Sequence, residues 1–214
     1  MNKESDEMSL EYSSPLSIER RSFEIIEAQL GDIDIGPENK KILERVIHTT
    51  ADFDYTENLK FSQDAAKLGI EALRNGAHIV TDTNMALAGV NKKTLKALGG
   101  DAHCFIAHPD VAGQAKARGV TRASVAVERA CTLKYDLIFA VGNAPTALIR
   151  LDEMIKRKRV APKLIIGVPV GFVNVVEAKE LIMKSGVPYI VAAGNKGGSN
   201  VAAAICNALL YMVK

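Results

Sequence analysis

The chain has 214 residues, of which 48% are hydrophobic and 24% charged, and Lys and Arg outnumber Asp and Glu by only two, a formal net charge of +2. That balance excludes the strongly basic surface of most nucleic-acid binders, and with no Trp and 5% aromatic residues there is little to stack bases on. No apolar run approaches the roughly 20 residues of a membrane-spanning helix, and no basic-then-apolar leader opens the chain, so a cytoplasmic protein with neither a membrane nor a nucleic-acid partner is expected.

Residues 1–13 (MNKESDEMSLEYS) are polar and read as a loose arm, which leaves 15–214 as one domain after a flexible segment 1–14. A first helix is expected over 17–30, with Ser17 as its cap and Ile18, Phe23, Ile26 and Leu30 near helical spacing. GDIDIGP breaks it. Pro37 suits the first turn of a second helix running through Leu43, Val46 and Ile47 to His48. A third spans 62–75 and stops at Gly76.

From there strands and helices alternate. Strands are expected at 78–81, 103–107, 137–141, 164–168 and 189–193. Helices are expected at 91–98, at 111–117 continuing through 122–130, and at 146–158, 173–185 and 200–213. This alternation predicts a parallel sheet with helices on both faces, and the last three strands are apolar throughout, as strands covered on both sides are.

Three glycine-rich turns follow strand ends: GNAPTA after 137–141, GVPVGF after 164–166 and GNKGGSN after 189–193. The carboxyl ends of parallel strands are where open α/β sheets bind ligands. Glycines there let the backbone approach the ligand, and helix starts offer free N–H groups. GNKGGSN matches neither G-x-G-x-x-G nor a P-loop, because Lys196 precedes the glycine pair. Three such loops on one rim fit a wide anionic ligand better than a single phosphate. A phosphate- or nucleotide-handling enzyme remains an alternative.

His48 stands near the expected end of the second helix, where it could cap the last carbonyls or serve as a proton donor at a titration range near neutral. Arg45 shares its face. Arg122 opens a helix and could meet an anion or point to solvent. Ser22 is mid-helix, where a hydroxyl ordinarily bonds its own backbone. Neither the four histidines nor Cys104, Cys131 and Cys206 show metal-ligand spacing, so no metal site is expected, and the cysteines read as small buried hydrophobes.

The ordered set Pro15-x-x-Ile18-x-x-x-Ser22-Phe23, Arg45-x-x-His48, Thr121-Arg122-Ala123, GNAPTAL, GVPVGFV with Glu177 and Lys179 following, and GNKGGS resembles the precorrin-8X methylmutase family of cobalamin biosynthesis. The resemblance runs from Pro15 to the C-terminus. It implies a three-layer α/β/α, flavodoxin-like fold with a five-stranded parallel sheet in order 2-1-3-4-5, and a homodimer with active sites near the interface. It implies an isomerase that migrates a methyl group on ring C of (cobalt-)precorrin-8, giving hydrogenobyrinate or cobyrinate, with no cofactor. His48 matches the catalytic histidine, Ser22 and Arg45 match substrate contacts, and Arg122 matches an arginine of the same pocket. The loops supply further candidates for substrate binding: Asn143, Ala144, Pro145, Thr146, Gly171, Phe172, Lys196, Gly197, Gly198 and Ser199. In this reading Arg45, Arg122 and Lys196 neutralise the acid arms, while Ala144, Pro145, Val170 and Phe172 flank the macrocycle. A non-catalytic tetrapyrrole carrier is the remaining alternative.

Overall fold

The computed structural model describes residues 15–213, so the expected arm at 1–14 lies outside it. In chain order the elements are α1 (Pro15–Leu30), α2 (Pro37–Thr50), α3 (Tyr55–Asn58), β1 (Leu59–Phe61), α4 (Ala65–Arg74), β2 (His78–Thr81), α5 (Asn84–Gly89), α6 (Lys92–Ala97) and β3 (Ala102–Cys104). They continue as α7 (Pro109–Arg118), α8 (Arg122–Ala130), β4 (Leu137–Val141), α9 (Pro145–Lys156), β5 (Leu164–Gly167), α10 (Val175–Met183), β6 (Tyr189–Ala192) and α11 (Ser199–Met212).

The strands form one sheet in the order β1-β6-β5-β4-β2-β3. All neighbours run parallel except β1, which pairs antiparallel with β6, Lys60 lying opposite Val191. Strand alternation sorts the core into two layers. Ile138, Ala140, Leu164, Ile166 and Ile190 face α1, α2, α4, α5 and α11. Leu137, Phe139, Val141, Ile165 and Val191 face α8, α9 and α10. Every residue of β4 is buried, as a central strand with two covered faces requires. Among the described residues no helix is long and apolar enough to cross a membrane.

The sheet has six strands where five were expected. The expected third helix starts late, because Ser62 belongs to the edge. Its N–H donates to the Tyr189 carbonyl at 3.0 Å, and its hydroxyl accepts the Tyr189 N–H at 2.9 Å. The expected strand 103–107 stops at Cys104, since the chain turns at Phe105, whose carbonyl accepts the His108 N–H. The long helix expected through 111–130 is two helices. Gly119 ends α7 at a positive φ of 64°, and the Thr121 hydroxyl caps α8 by accepting the Ser124 N–H. Helix α5 was not foreseen; Thr83 caps it. Of the cysteines only Cys206 is buried; Cys104 and Cys131 are half-buried. Burial pushes the Cys131 and Cys206 thiols up to about 12, which keeps them protonated and unreactive.

Candidate active site at the carboxyl rim of the sheet

The three glycine-rich turns all leave the carboxyl ends of β4, β5 and β6, and they are tied to one another. GNAPTA is held from below by Asp82, which follows β2. The Asp82 carboxylate accepts the N–H groups of Gly142 (2.9 Å), Asn143 (2.9 Å) and Ala144 (2.7 Å). Burial pushes this carboxyl up, and the three donors oppose that shift. Asp82 was not singled out from the sequence. Nothing local in Thr81-Asp82-Thr83 announces a partner sixty residues away.

Close backbone packing explains two of the glycines. A Cβ on Gly142 would lie 2.7 Å from the Gly198 carbonyl oxygen and from Ser199 Cα. A Cβ on Gly197 would lie 2.1 Å from the Val168 carbonyl oxygen. The GNKGGSN turn therefore nests against both other loops. Gly198 N–H donates to Val168 O at 2.9 Å, and Asn195 exchanges two hydrogen bonds with Gly171. Ser199, at the start of α11, pairs its hydroxyl with that of Thr83 at 2.8 Å. Thr146, in the first turn of α9, accepts from the Thr121 hydroxyl, which sets exposed Arg122 beside GNAPTA. Asn143 is exposed, Ala144 and Pro145 are half-buried, and Gly171 leads into Phe172. Phe172 (92% exposed), Val173 (76%) and Val170 (47%) form an apolar edge on this rim.

His48 is exposed on the last turn of α2. It does not cap that helix. Ala51 N–H takes the Ile47 carbonyl, and the Thr49 and Thr50 hydroxyls take those of Arg45 and Val46. Among the described residues the His48 ring has no hydrogen-bond partner. It stacks on Phe23 from α1, with centroids 4.8 Å apart and planes 8° from parallel. The Arg45 guanidinium lies 4.7 Å from the same Phe23 ring and 5.4 Å from that of Tyr211 on α11, and it pairs with Glu19 at 3.0 Å. The neighbouring Ser22 hydroxyl donates to Ile18 O at 2.9 Å, its own helix. Phe23 thus forms a wall beside both Arg45 and His48, and Tyr211 flanks Arg45. Beside that wall, a groove of about 350 Å³ is lined by Phe23, Glu44, Arg45 and Tyr211 among others.

Lys196 joins this wall to the loops. Its ammonium lies 2.6 Å from the carboxylates of both Asp52 and Asp54, just past the end of α2. These bonds hold the Asp52 carboxyl below the usual carboxylate range. The ammonium expected to meet an acid arm is thereby already engaged, and it fixes the GNKGGSN loop to the segment after His48. A larger cavity of about 470 Å³ between α7 and α8, lined by Asp110, Gln114 and Arg129 among others, contains none of the expected residues. Among the described residues no group of three or more His, Cys, Asp or Glu could hold a metal ion.

A model of the precorrin-8X methylmutase family matches residues 17–212. The cobalt-precorrin-8 methylmutase of Salmonella typhimurium is 45% identical over 206 residues, which cover 94% of this chain and 96% of that protein. The precorrin-8X methylmutase of Pseudomonas aeruginosa is 38% identical over 195 residues, 90% of this chain and 93% of that one. Among solved structures, a precorrin-8x methyl mutase from Thermus thermophilus matches with a TM-score of 0.86 at 41% identity, covering 92% of this chain and 96% of the other. The family match extends from the helix that carries Phe23 to the one that carries Tyr211, and so takes in His48, Arg45 and every glycine loop: the chain belongs to the precorrin-8X methylmutase family.

Proposed function

We propose that this protein is an isomerase that moves a methyl group between adjacent ring C carbons of (cobalt-)precorrin-8, giving hydrogenobyrinate or cobyrinate. Family membership over nearly the whole chain supports the reaction. The observation that carries the assignment of roles is His48: exposed, without a hydrogen-bond partner among the described residues, and held by a stacked ring beside Arg45.

The migration is balanced within the substrate. One C–CH3 bond breaks, another forms at the neighbouring carbon, and neither an external methyl donor nor an electron acceptor enters. What the protein must add is a proton at the right nitrogen and a fixed pose. His48 donates a proton to a ring C nitrogen, which polarises the conjugated system and lowers the barrier to the shift, and takes that proton back once the methyl group has moved. General acid catalysis of this kind supplies about 10²–10⁴-fold. Arg45 and Arg122 receive acid arms, Arg45 exchanging Glu19 for the substrate's carboxylate. Ser22, Asn143, Thr146 and Ser199 offer hydrogen bonds, and the backbone at Gly171, Gly197 and Gly198 lets the ring approach closely. Ala144, Pro145 and Phe172 supply apolar contact. Lys196 acts by holding its loop.

The five parallel strands fit a flavodoxin-like three-layer arrangement to which β1 is added, and residues 15–214 form one domain. The protein works as a homodimer in the cytoplasm. The strongly exposed Val173, next to the Phe172 that meets the macrocycle, supports the dimer, because a second copy would cover it.

The test is His48→Ala, followed through the visible spectrum of metal-free and cobalt-loaded precorrin-8. The variant is expected to bind pigment while turnover falls by about 10²–10⁴. Wild-type turnover in the variant overturns the role of His48. A wild-type protein that converts neither pigment overturns the reaction.

A further inference from the structure

Lys179 lies on α10 and is only 1% exposed. Its ammonium donates to the Gly194 carbonyl at 2.6 Å and the Lys196 carbonyl at 2.9 Å, both in the GNKGGSN turn. It has no carboxylate partner among the described residues. A buried cation without a counter-ion is unfavourable, and burial alone brings this ammonium down to about 8, so the charge persists at neutral pH.

The two hydrogen bonds fix the orientation of the turn. The described chain has no cis peptide bond, and in a planar trans peptide the carbonyl and the following N–H point in opposite directions. With the carbonyls of Gly194 and Lys196 drawn inward, the N–H groups of Asn195 and Gly197 face outward. Neither has an acceptor among the described residues. Gly194 permits the fold of the turn through a φ of 75°. The turn's own exposed cation, Lys196, is bonded by two carboxylates, Asp52 and Asp54, so it brings no net positive charge to the turn. The positive charge behind the two outward N–H groups is therefore that of Lys179.

We propose that Lys179 is a positioning residue for a carboxylate seat on the outer face of the 194–198 turn. It holds the Asn195 and Gly197 N–H groups outward and backs them with a charge that no carboxylate bonds directly, so that one acid arm of the substrate binds there. The inference rests on the functional reading above, because that reading supplies a polycarboxylate. It assigns the charge to a buried side chain in place of Lys196. The seat needs no ion pair at its surface, since paired N–H groups over a low-dielectric cation bind an anion directly.

Two measurements test it. In 15N-labelled wild-type protein, the Asn195 and Gly197 amide resonances are expected to move when hydrogenobyrinic acid is added and to stay in place with its fully methyl-esterified form. In Lys179→Met, the Kd for hydrogenobyrinic acid and the KM for precorrin-8 are expected to rise about tenfold or more, with kcat within about threefold and the Kd for the ester unchanged. A folded Met variant that keeps the wild-type preference for acid over ester overturns the proposal. If that variant does not fold, the wild-type spectra decide alone: two amides that ignore the bound acid overturn it. A wild type that isomerises pigment with both amides unmoved removes the seat and leaves the reaction standing. One that binds the acid at both amides without isomerising precorrin-8 removes the reaction and leaves the seat. A wild type that does not bind the acid overturns both.

Discussion

The rings of Phe23 and His48 lie face to face, 4.8 Å between centroids and 8° from parallel. α1 therefore sets the orientation of an imidazole carried by α2. The same Phe23 ring lies 4.7 Å from the guanidinium of Arg45, so one aromatic side chain aligns both members of the Arg-x-x-His pair.

Phe23→Ala is expected to lower kcat about two- to thirteenfold, the equivalent of an aromatic pair worth roughly 0.5–1.5 kcal/mol, with a smaller change in KM. Steady-state kinetics on the pigment spectrum, set beside a thermal melt, check this. Equal loss of kcat and of folded protein would make Phe23 a packing residue only.

Asp82→Asn replaces one acceptor oxygen with an NH2 group that faces the loop's own N–H donors. The expected loss is about 1.5–3 kcal/mol, a fall in Tm of roughly 3–12 °C. Because the GNAPTA loop loosens with it, KM rises as well. Calorimetry and kinetics on the same preparation test the pairing of these two effects.

At the opposite end of the sheet, His78 Nδ1 lies 2.8 Å from His103 Nε2, and the His78 ring stacks on Tyr135. Burial, then the neighbouring His103, holds His78 below histidine's usual value. A base depressed in the folded state adds stability that is complete above its unfolded value, near 6.5, and is lost as pH falls through the lower folded value. Tm is therefore expected to drop on acidification below about pH 6.5, and to drop less in His78→Gln. A melt series from pH 8 to about pH 5 reads the difference.

The Asp52–Lys196 bond acts with the same sign in a more acidic window. The lowered Asp52 carboxyl adds stability above the unfolded carboxylate value, about 3.9, and that stability is lost as pH falls through the folded value. Asp52→Asn should melt below the wild type at neutral pH, and the gap should close in acid. Since the contact is partly exposed, added salt narrows the gap at neutral pH.

Features written in contiguous residues were legible in the sequence. β4 and β2 stand at the expected limits, because an apolar run bounded by glycine or a turn is a local signal. The rim location of the glycine loops follows from strand–helix alternation alone. β1 was invisible: three residues, Leu59–Phe61, become a strand only because Tyr189 and its neighbours lie beside them. Asp82, Lys179 and the Asp52–Lys196–Asp54 contact were missed as interactions for the same reason. Each joins residues distant in the chain, and a lone Asp or Lys in a sequence looks like a solvated charge. Phe23 was read as helix core, and its place against His48 depends on how α1 crosses α2.

The antiparallel edge limits backbone pairing of this sheet with any further strand. β1 is three residues long and exposes Lys60 at its centre. So short a template, with a charge in the middle, offers little for a foreign strand to pair with. β3 at the other edge is equally short. Further strands are discouraged on both sides, so the sheet resists growing by backbone pairing into larger aggregates.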